Sequence, residues 1–125
     1  MSSTVASLFK PFTSKNLELD NRIVMAPMTR EFSPEGIPDA EVAGYYRRRA
    51  EGGTGLIITE GTTVNDPVAT MGASVPRIHG DDALAGWKNV IEEVHAADGK
   101  IMPQLWHVGM ARNSKTALDE HRQIR

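Results

Sequence analysis

Three short apolar runs, separated by two segments of helical pattern, constrain this chain more than any other feature. The runs are RIVMAPM at 22–28, GLIITEGTTV at 55–64 and KIMPQLWHVG at 100–109. A short, continuous apolar run suits a parallel strand that is covered on both faces. Strands that alternate with helices predict right-handed strand–helix–strand units, and therefore an α/β fold with a parallel sheet.

The first helical segment follows Asp39 and reads AEVAGYYRRRAEGG. An aspartate at this place can accept an orphan backbone N–H and complement the helix dipole, so we predict that Asp39 is the N-cap. The pair Gly52-Gly53 ends the helix, because glycine adopts the left-handed conformation at little cost. The predicted buried stripe consists of Val42, Tyr45 or Tyr46, and Ala50.

The second helical segment, ALAGWKNVIEEVHAADG, begins after two aspartates. Asp81 or Asp82 is the predicted N-cap, and Gly99 is the predicted stop. Apolar residues recur at intervals of three, four and three, which predicts one buried helix face. That face consists of Leu84, Trp87, Ile91 and Val94.

The segment before the first run predicts a hairpin-like lead. Leu17 and Leu19 alternate with polar residues, as in a half-buried strand, and the LDN sequence at 19–21 is a turn signal. The predicted order is therefore a hairpin lead followed by strand, helix, strand, helix and strand.

Composition excludes several classes of function. The 125 residues carry a net charge of −2, which provides no concentrated basic face for nucleic acid. The chain has no cysteine, so neither disulfides nor thiolate chemistry is available. The four histidines show no metal-ligand spacing. No run approaches the roughly 20 apolar residues of a membrane span, and the N-terminus lacks a signal-peptide pattern, so we expect a cytoplasmic protein.

All three apolar runs change to polar residues at their carboxyl ends. Ligands of parallel α/β sheets bind outside these ends. We therefore expect Thr29, the Glu60-Gly61-Thr62 segment and Gln104 to form one rim of hydrogen-bond donors and acceptors. The GGTG sequence at 52–55 follows a helix and precedes a strand, which is the wrong order for a dinucleotide-binding loop.

Three motifs in register resemble the N-terminal third of the old yellow enzyme family, the flavin-dependent ene-reductases or NADH:flavin oxidoreductases. They are LFKPFTSKNLELDNRIVMAPMTR, YYRRRAEGGTGLIITEGTTV and PQLWHVG, and the likeness covers about residues 7–112. The resemblance implies a partial (β/α)8 TIM barrel with FMN across its carboxyl end. Residues 1–125 would be the N-terminal portion of a single FMN-binding barrel domain.

The resemblance also implies a flavin-binding role for the end of the first strand. Pro27, Met28 and Thr29 would line one side of the isoalloxazine. The Thr29 hydroxyl would hydrogen-bond the O4 edge and thereby tune the flavin potential.

The other two strand ends match family positions as well. Gly61 would present its backbone amide beside the ring, where a side chain would block approach. Gln104 would pair with the pyrimidine edge, because a carboxamide is both donor and acceptor. Trp106 would stand in the substrate pocket above the flavin. Packing at the barrel mouth is the alternative for Trp106, and it is our interpretation of His107.

The activity implied by the resemblance is hydride transfer from NAD(P)H to FMN, and then from the flavin to the β-carbon of an activated alkene such as an enone. The expected partner is thus a small-molecule alkene, with neither nucleic acid nor membrane. No catalytic residue is expected within this chain, because the family's carbonyl-binding pair and proton-donating tyrosine have no match in it.

Two departures from the family pattern leave another function open. The family runs to roughly three times this length, and the charged segment 110–125 is atypical of it. Three strands of a barrel would leave open edges and an apolar face, so we expect the chain to need the remaining strands, a partner chain or self-association. The alternative function is a non-catalytic remnant that acts as an interaction or split-subunit module.

Overall fold

The computed structural model of the chain describes residues 3–70 and 72–111. Within these ranges it contains two small sheets and two long helices. The atypical segment predicted at 110–125 lies almost wholly outside the described residues, so that prediction stays open.

The chain begins with a short helix and a hairpin. Helix α1 (Ser3–Ala6) precedes strands β1 (Phe12–Ser14) and β2 (Leu17–Leu19), which pair antiparallel. Leu19 is buried and Leu17 is half-buried, as the alternating pattern predicts. The hairpin lead is therefore confirmed.

The second sheet is parallel and has three strands. They are β3 (Val24–Met25), β4 (Leu56–Thr63) and β5 (Ile101–Trp106), with β4 in the centre. Helix α2 (Ala40–Glu51) connects β3 to β4, and α3 (Asp81–Ala96) connects β4 to β5. The predicted alternation of strands and helices is confirmed.

Strand β3 is shorter than the apolar run that predicts it. The run spans 22–28, but only Val24 and Met25 pair with β4. Pro27 has no N–H for a ladder, and the chain beyond it turns towards a side chain of β4 instead of following the strand.

Helix α2 begins and ends as predicted. The Asp39 carboxylate accepts hydrogen bonds from the backbone N–H groups of Glu41 and Val42, at 3.0 and 3.1 Å. Beyond the other end, Gly53 has a φ of +86°. The buried stripe is Val42, Ala43, Tyr46 and Ala50.

Helix α3 differs from its prediction at both ends and in its buried face. Gly80 is the N-cap, and Asp82 lies inside the first turn. At the other end Asp98 has the left-handed conformation, with a φ of +55°. Gly99 is needed for a different reason, because a Cβ there would stand 2.8 Å from Cγ1 of Val94.

The buried face of α3 consists of Ala83, Trp87, Val90 and Val94. Leu84 and Ile91 were predicted on this face but are exposed. The apolar residues of α3 cover a wider arc than its neighbours can bury. The position of the helix in the fold therefore determines which of these residues are buried.

The core lies between the two helices and the parallel sheet. Ile57 of β4 is fully buried at its centre, and Met25 and Ile101 pack around it from the two outer strands. The helices contribute Val42, Ala43, Tyr46, Ala50, Trp87, Val90 and Val94. Within the described ranges, no helix combines the length and the apolar character that crossing a membrane requires.

The outer strands of the parallel sheet expose large apolar side chains. Val24 of β3 is 47% exposed, and Met102 and Leu105 of β5 are 44% and 56% exposed. Such residues are normally covered in a parallel sheet.

Candidate functional site

The carboxyl ends of β4 and β5 bring two of the predicted site residues side by side. Gly61 is the register partner of Gln104, and the ladder is irregular between Ile58 and Gly61. The irregularity lets the Thr59 hydroxyl accept the backbone N–H of Gln104 at 3.2 Å. Gln104 is thus tied to β4 through its backbone.

A buried carboxylate holds the segment after β3 against the end of β4. The backbone N–H of Arg30 donates to Oε2 of Glu60 at 3.1 Å, and the Arg30 guanidinium donates to Oε1 at 3.1 and 3.3 Å. The Glu60 side chain is 0% exposed and that of Arg30 is 15% exposed. Thr29 precedes Arg30 and Gly61 follows Glu60, so this contact brings the first strand end to the second.

The three strand ends therefore meet on one edge of the sheet. Pro27 is half-buried there, whereas Met28 and Thr29 are exposed. None of the described residues hydrogen-bonds the Thr29 hydroxyl or the Gln104 carboxamide. Both groups are therefore available to a ligand.

Two members of the predicted rim are not available. Glu60 is engaged by Arg30, and Thr62 is buried with its hydroxyl donating to the Glu60 carbonyl oxygen at 3.0 Å. Their side chains form hydrogen bonds inside the protein and stabilise the end of β4. The predicted rim is therefore smaller than the run of polar residues suggests.

Trp106 lies against Gly61. A Cβ on residue 61 would overlap the indole ring, so the absence of a side chain there makes room for Trp106. The indole N–H is buried and has no hydrogen-bond partner among the described residues. Trp106 thus lies beside the rim with an unused donor.

The surroundings of Arg30 are aromatic. Its guanidinium carbon lies 3.6 Å from the centroid of the Tyr45 ring and 5.6 Å from that of Tyr46. The Tyr46 hydroxyl accepts the backbone N–H of Glu60 at 2.9 Å. Burial raises the pKa of Tyr46 to about 12, so this hydroxyl stays protonated at neutral pH.

His107 belongs to a local turn. Its Nδ1 accepts the backbone N–H of Gly109 at 2.9 Å, and its Nε2 lies 3.5 Å from Oδ1 of Asp66. No group of three or more potential metal ligands occurs in the part of the chain that the structure describes.

The free groups of the rim fit the edge of an isoalloxazine. A hydroxyl on Thr29 and a carboxamide on Gln104 supply both donors and acceptors, which match an edge with alternating carbonyl and N–H groups.

Sequence reasoning did not identify the pairing of Arg30 with Glu60. A glutamate inside a strand that is predicted to be buried is the signal that could have identified it, since such a residue is rarely buried without a partner. Its partner lies 30 positions away, and nothing in the local sequence points to it.

Comparisons with known proteins agree with this geometry. The sequence profile described as "NADH:flavin oxidoreductase / NADH oxidase family" matches residues 7–123. The chain is 42% identical over 106 residues to 12-oxophytodienoate reductase 7 from Oryza sativa subsp. japonica, an alignment covering 85% of this chain and 26% of that protein.

Solved structures give the same result. Morphinone reductase in complex with tetrahydroNAD superposes with a TM-score of 0.82 at 42% identity, over 90% of this chain and 30% of that one. The old yellow enzyme homologue from Zymomonas mobilis superposes with a TM-score of 0.80 at 35% identity, over 89% and 31%.

This chain therefore spans between a quarter and a third of the length of the proteins it resembles. The profile match covers most of the sequence and continues beyond the last described strand. We conclude that the chain belongs to the NADH:flavin oxidoreductase / NADH oxidase family, the family that includes the old yellow enzymes.

Proposed function

We propose that residues 1–125 supply the first three strands of an FMN-binding (β/α)8 barrel in an NAD(P)H-dependent ene-reductase. The observation that carries the proposal is the meeting of Thr29, Gly61 and Gln104 at one edge of the parallel sheet. The match to morphinone reductase, at a TM-score of 0.82, supports the barrel as the complete architecture.

In this proposal the chain binds and orients the cofactor. Pro27, Met28 and Thr29 flank the ring, and the Thr29 hydroxyl donates to the O4 edge. The Gln104 carboxamide donates to and accepts from the pyrimidine edge. FMN, when bound, supplies the hydride chemistry between a nicotinamide and the β-carbon of an activated alkene.

Trp106 has a different role in the proposal, because it does not contact the pyrimidine edge. Its indole lies beside Gly61 and shapes the space in which a small alkene substrate would sit. None of these residues is a proton donor in the reaction. The groups that bind the substrate carbonyl and donate the proton would come from elsewhere in the complete enzyme.

A completed barrel tests this function. We define the barrel chimera as residues 1–111 of this chain followed by the downstream strands of morphinone reductase, which shares 42% identity with this chain. We expect the chimera to purify with bound FMN. A folded chimera that shows no flavin absorbance after loading and dialysis would contradict the proposal.

Gln104→Ala tests the cofactor edge within the chimera. Losing two neutral hydrogen bonds of about 1 kcal/mol each would weaken FMN binding about 10- to 30-fold. Asn89→Ala removes an exposed carboxamide from α3 and serves as the control. Equal FMN affinities for these two variants would remove Gln104 from the cofactor site.

A further inference from the structure

We propose that Glu60 is a positioning residue for the flavin edge, which acts by fixing the Pro27–Thr29 segment and with it the Thr29 hydroxyl. The inference deepens the proposed function and rests on it. Its basis is the set of hydrogen bonds by which one buried carboxylate holds two chain segments that are about 30 residues apart in sequence.

The Glu60 carboxylate determines the path of the chain just after Thr29. It accepts the backbone N–H groups of Arg30 and Glu31, at 3.1 and 3.3 Å, on the same oxygen. Glu31 has a φ of +59°. This backbone conformation is unfavourable for any residue other than glycine, and it persists only where the surroundings enforce it. Glu60 is the group that enforces this turn.

The side chain of Arg30 contacts an aromatic ring as well as the Glu60 carboxylate. Its guanidinium lies between the carboxylate of Glu60 and the face of Tyr45, whose centroid is 3.6 Å away. Arg49 lies over the same ring at 3.5 Å and donates to the Tyr45 carbonyl oxygen. Because the Glu60 carboxylate and the Tyr45 ring both contact its guanidinium, the Arg30 side chain has little freedom to move. The position of the adjacent Thr29 is restricted with it.

The backbone of Glu60 is equally constrained. Its N–H donates to the Tyr46 hydroxyl, and its carbonyl oxygen accepts the hydroxyls of Thr59 and Thr62 at 2.8 and 3.0 Å. Gly61, which is beside Gln104, is the next residue. A single rigid residue therefore sets the distance between the hydroxyl of the first strand end and the carboxamide of the third.

A buried ion pair can also act on stability alone, since removing one partner leaves an uncompensated charge. The test must therefore separate the placement of Thr29 from general destabilisation. Two measurements on the barrel chimera do so, one on the backbone amides and one on the flavin.

The first measurement is amide hydrogen exchange in the barrel chimera. We expect slow exchange at Arg30 and Glu31 in the unmodified chimera, and at least tenfold faster exchange at these two amides in Glu60→Ala. Glu60→Gln, which keeps the shape and one oxygen, should give a smaller increase. Glu93→Ala removes an exposed partner of Arg47 and should leave both amides unchanged.

Three results of this measurement would overturn the inference. They are unprotected amides at Arg30 and Glu31 in the unmodified chimera, unchanged rates in Glu60→Ala, and an equal acceleration at every amide of α2 and β4. The last result would mean that Glu60 contributes to stability without placing the segment.

The second measurement is the midpoint potential of FMN in a double-mutant cycle. If Glu60 acts through Thr29, Glu60→Gln shifts the potential when Thr29 is present and has no effect in the background of Thr29→Ala. Equal shifts in both backgrounds would show a direct effect of charge on the flavin and would overturn the inference.

The cycle also separates this inference from the proposed function. An unchanged potential in Thr29→Ala would count against the proposed flavin contact itself, and with it against any route from Glu60 through Thr29. A shift in Thr29→Ala together with none in Glu60→Gln would leave the function standing and overturn only the role of Glu60.

Discussion

The indole of Trp106 lies directly against Gly61, at the edge of the sheet where β4 and β5 end. The contact is close enough that even a methyl group on residue 61 would overlap the ring. Glycine at this position therefore determines where the indole lies. The proposed substrate pocket is thus shaped by the absence of a side chain on the neighbouring strand.

Gly61→Ala is expected to displace the indole of Trp106. Inserting a methyl group into a packed site costs about 1–3 kcal/mol of unfolding free energy. Urea unfolding and the near-UV circular dichroism of the barrel chimera measure the two effects. Gly72→Ala is the control, because among the described residues no neighbouring atom lies within 4 Å of its Cβ position. Equal unfolding free energies and equal spectra for the two variants would contradict the contact.

Tyr46→Phe should change how stability depends on pH in alkaline solution. Burial raises the Tyr46 pKa from 10.0 to about 12, so the folded state holds this proton more tightly than the unfolded state. The contribution of this raised pKa to the free energy of unfolding is complete below pH 10 and is lost as pH rises from 10 towards 12. Within this window the free energy of unfolding falls by up to about 1.4 kcal/mol for each unit that the pH rises.

The corresponding measurement is urea unfolding of the barrel chimera and its Tyr46→Phe variant at several pH values. The unmodified chimera should be the more stable at pH 8, because phenylalanine leaves the buried N–H of Glu60 without an acceptor. The advantage should shrink between pH 10 and 12. An advantage that stays constant across this range would show that Tyr46 is not perturbed.

The 125-residue chain alone is expected to self-associate or to fold poorly. Its parallel sheet exposes Val24, Met102 and Leu105 on strands that are normally covered. Apolar surface left in water forfeits about 25 cal/mol per Å², so several hundred Å² amount to on the order of 10 kcal/mol. That figure matches the whole stability of a typical domain, about 5–15 kcal/mol.

Light scattering and near-UV circular dichroism of Trp87 and Trp106 test this expectation. The barrel chimera is the control, since its downstream strands would cover the same surface. A compact monomer of the 125-residue chain that unfolds in one sharp transition would contradict the prediction.

The same chain is expected to bind FMN only weakly by itself. The rim offers neutral groups on Thr29 and Gln104, and the nearby cation Arg30 is already paired with Glu60, so the described residues give the phosphate no partner there. A few hydrogen bonds of about 1 kcal/mol each do not offset association costs of about 4–15 kcal/mol. Flavin fluorescence should therefore show no saturable binding, or dissociation constants weaker than about 1 mM, and a stoichiometrically yellow monomer would refute this.

Features with local causes could be predicted from the sequence. The cap of α2 by Asp39 depends on groups two and three residues away, and it forms as predicted. The alternation of apolar runs and helical segments likewise determined the order of the parallel sheet. Here short-range chemistry and the final fold agree.

Features that depend on distant packing could not be predicted. The buried face of α3 is confirmed for Trp87 and Val94 but wrong for Leu84 and Ile91, which are as apolar as the buried Val90, so only the packing of the helix decides which are covered. The pairing of Arg30 with Glu60 joins segments that the sequence alone does not bring together. The sequence thus predicts that the strand ends lie together, but it does not reveal the buried charges beneath them, and the role of the rim stays a prediction.

The central claim is that the three strand ends form one flavin-binding edge, and the midpoint potential of FMN in the barrel chimera tests it most directly. Thr29→Ala should leave the fold intact and remove one hydrogen bond of about 1 kcal/mol, which corresponds to a shift of a few tens of millivolts for a two-electron couple. Thr29→Ser keeps the hydroxyl and should retain the original potential. An unchanged potential in Thr29→Ala, with FMN still bound, would contradict the account.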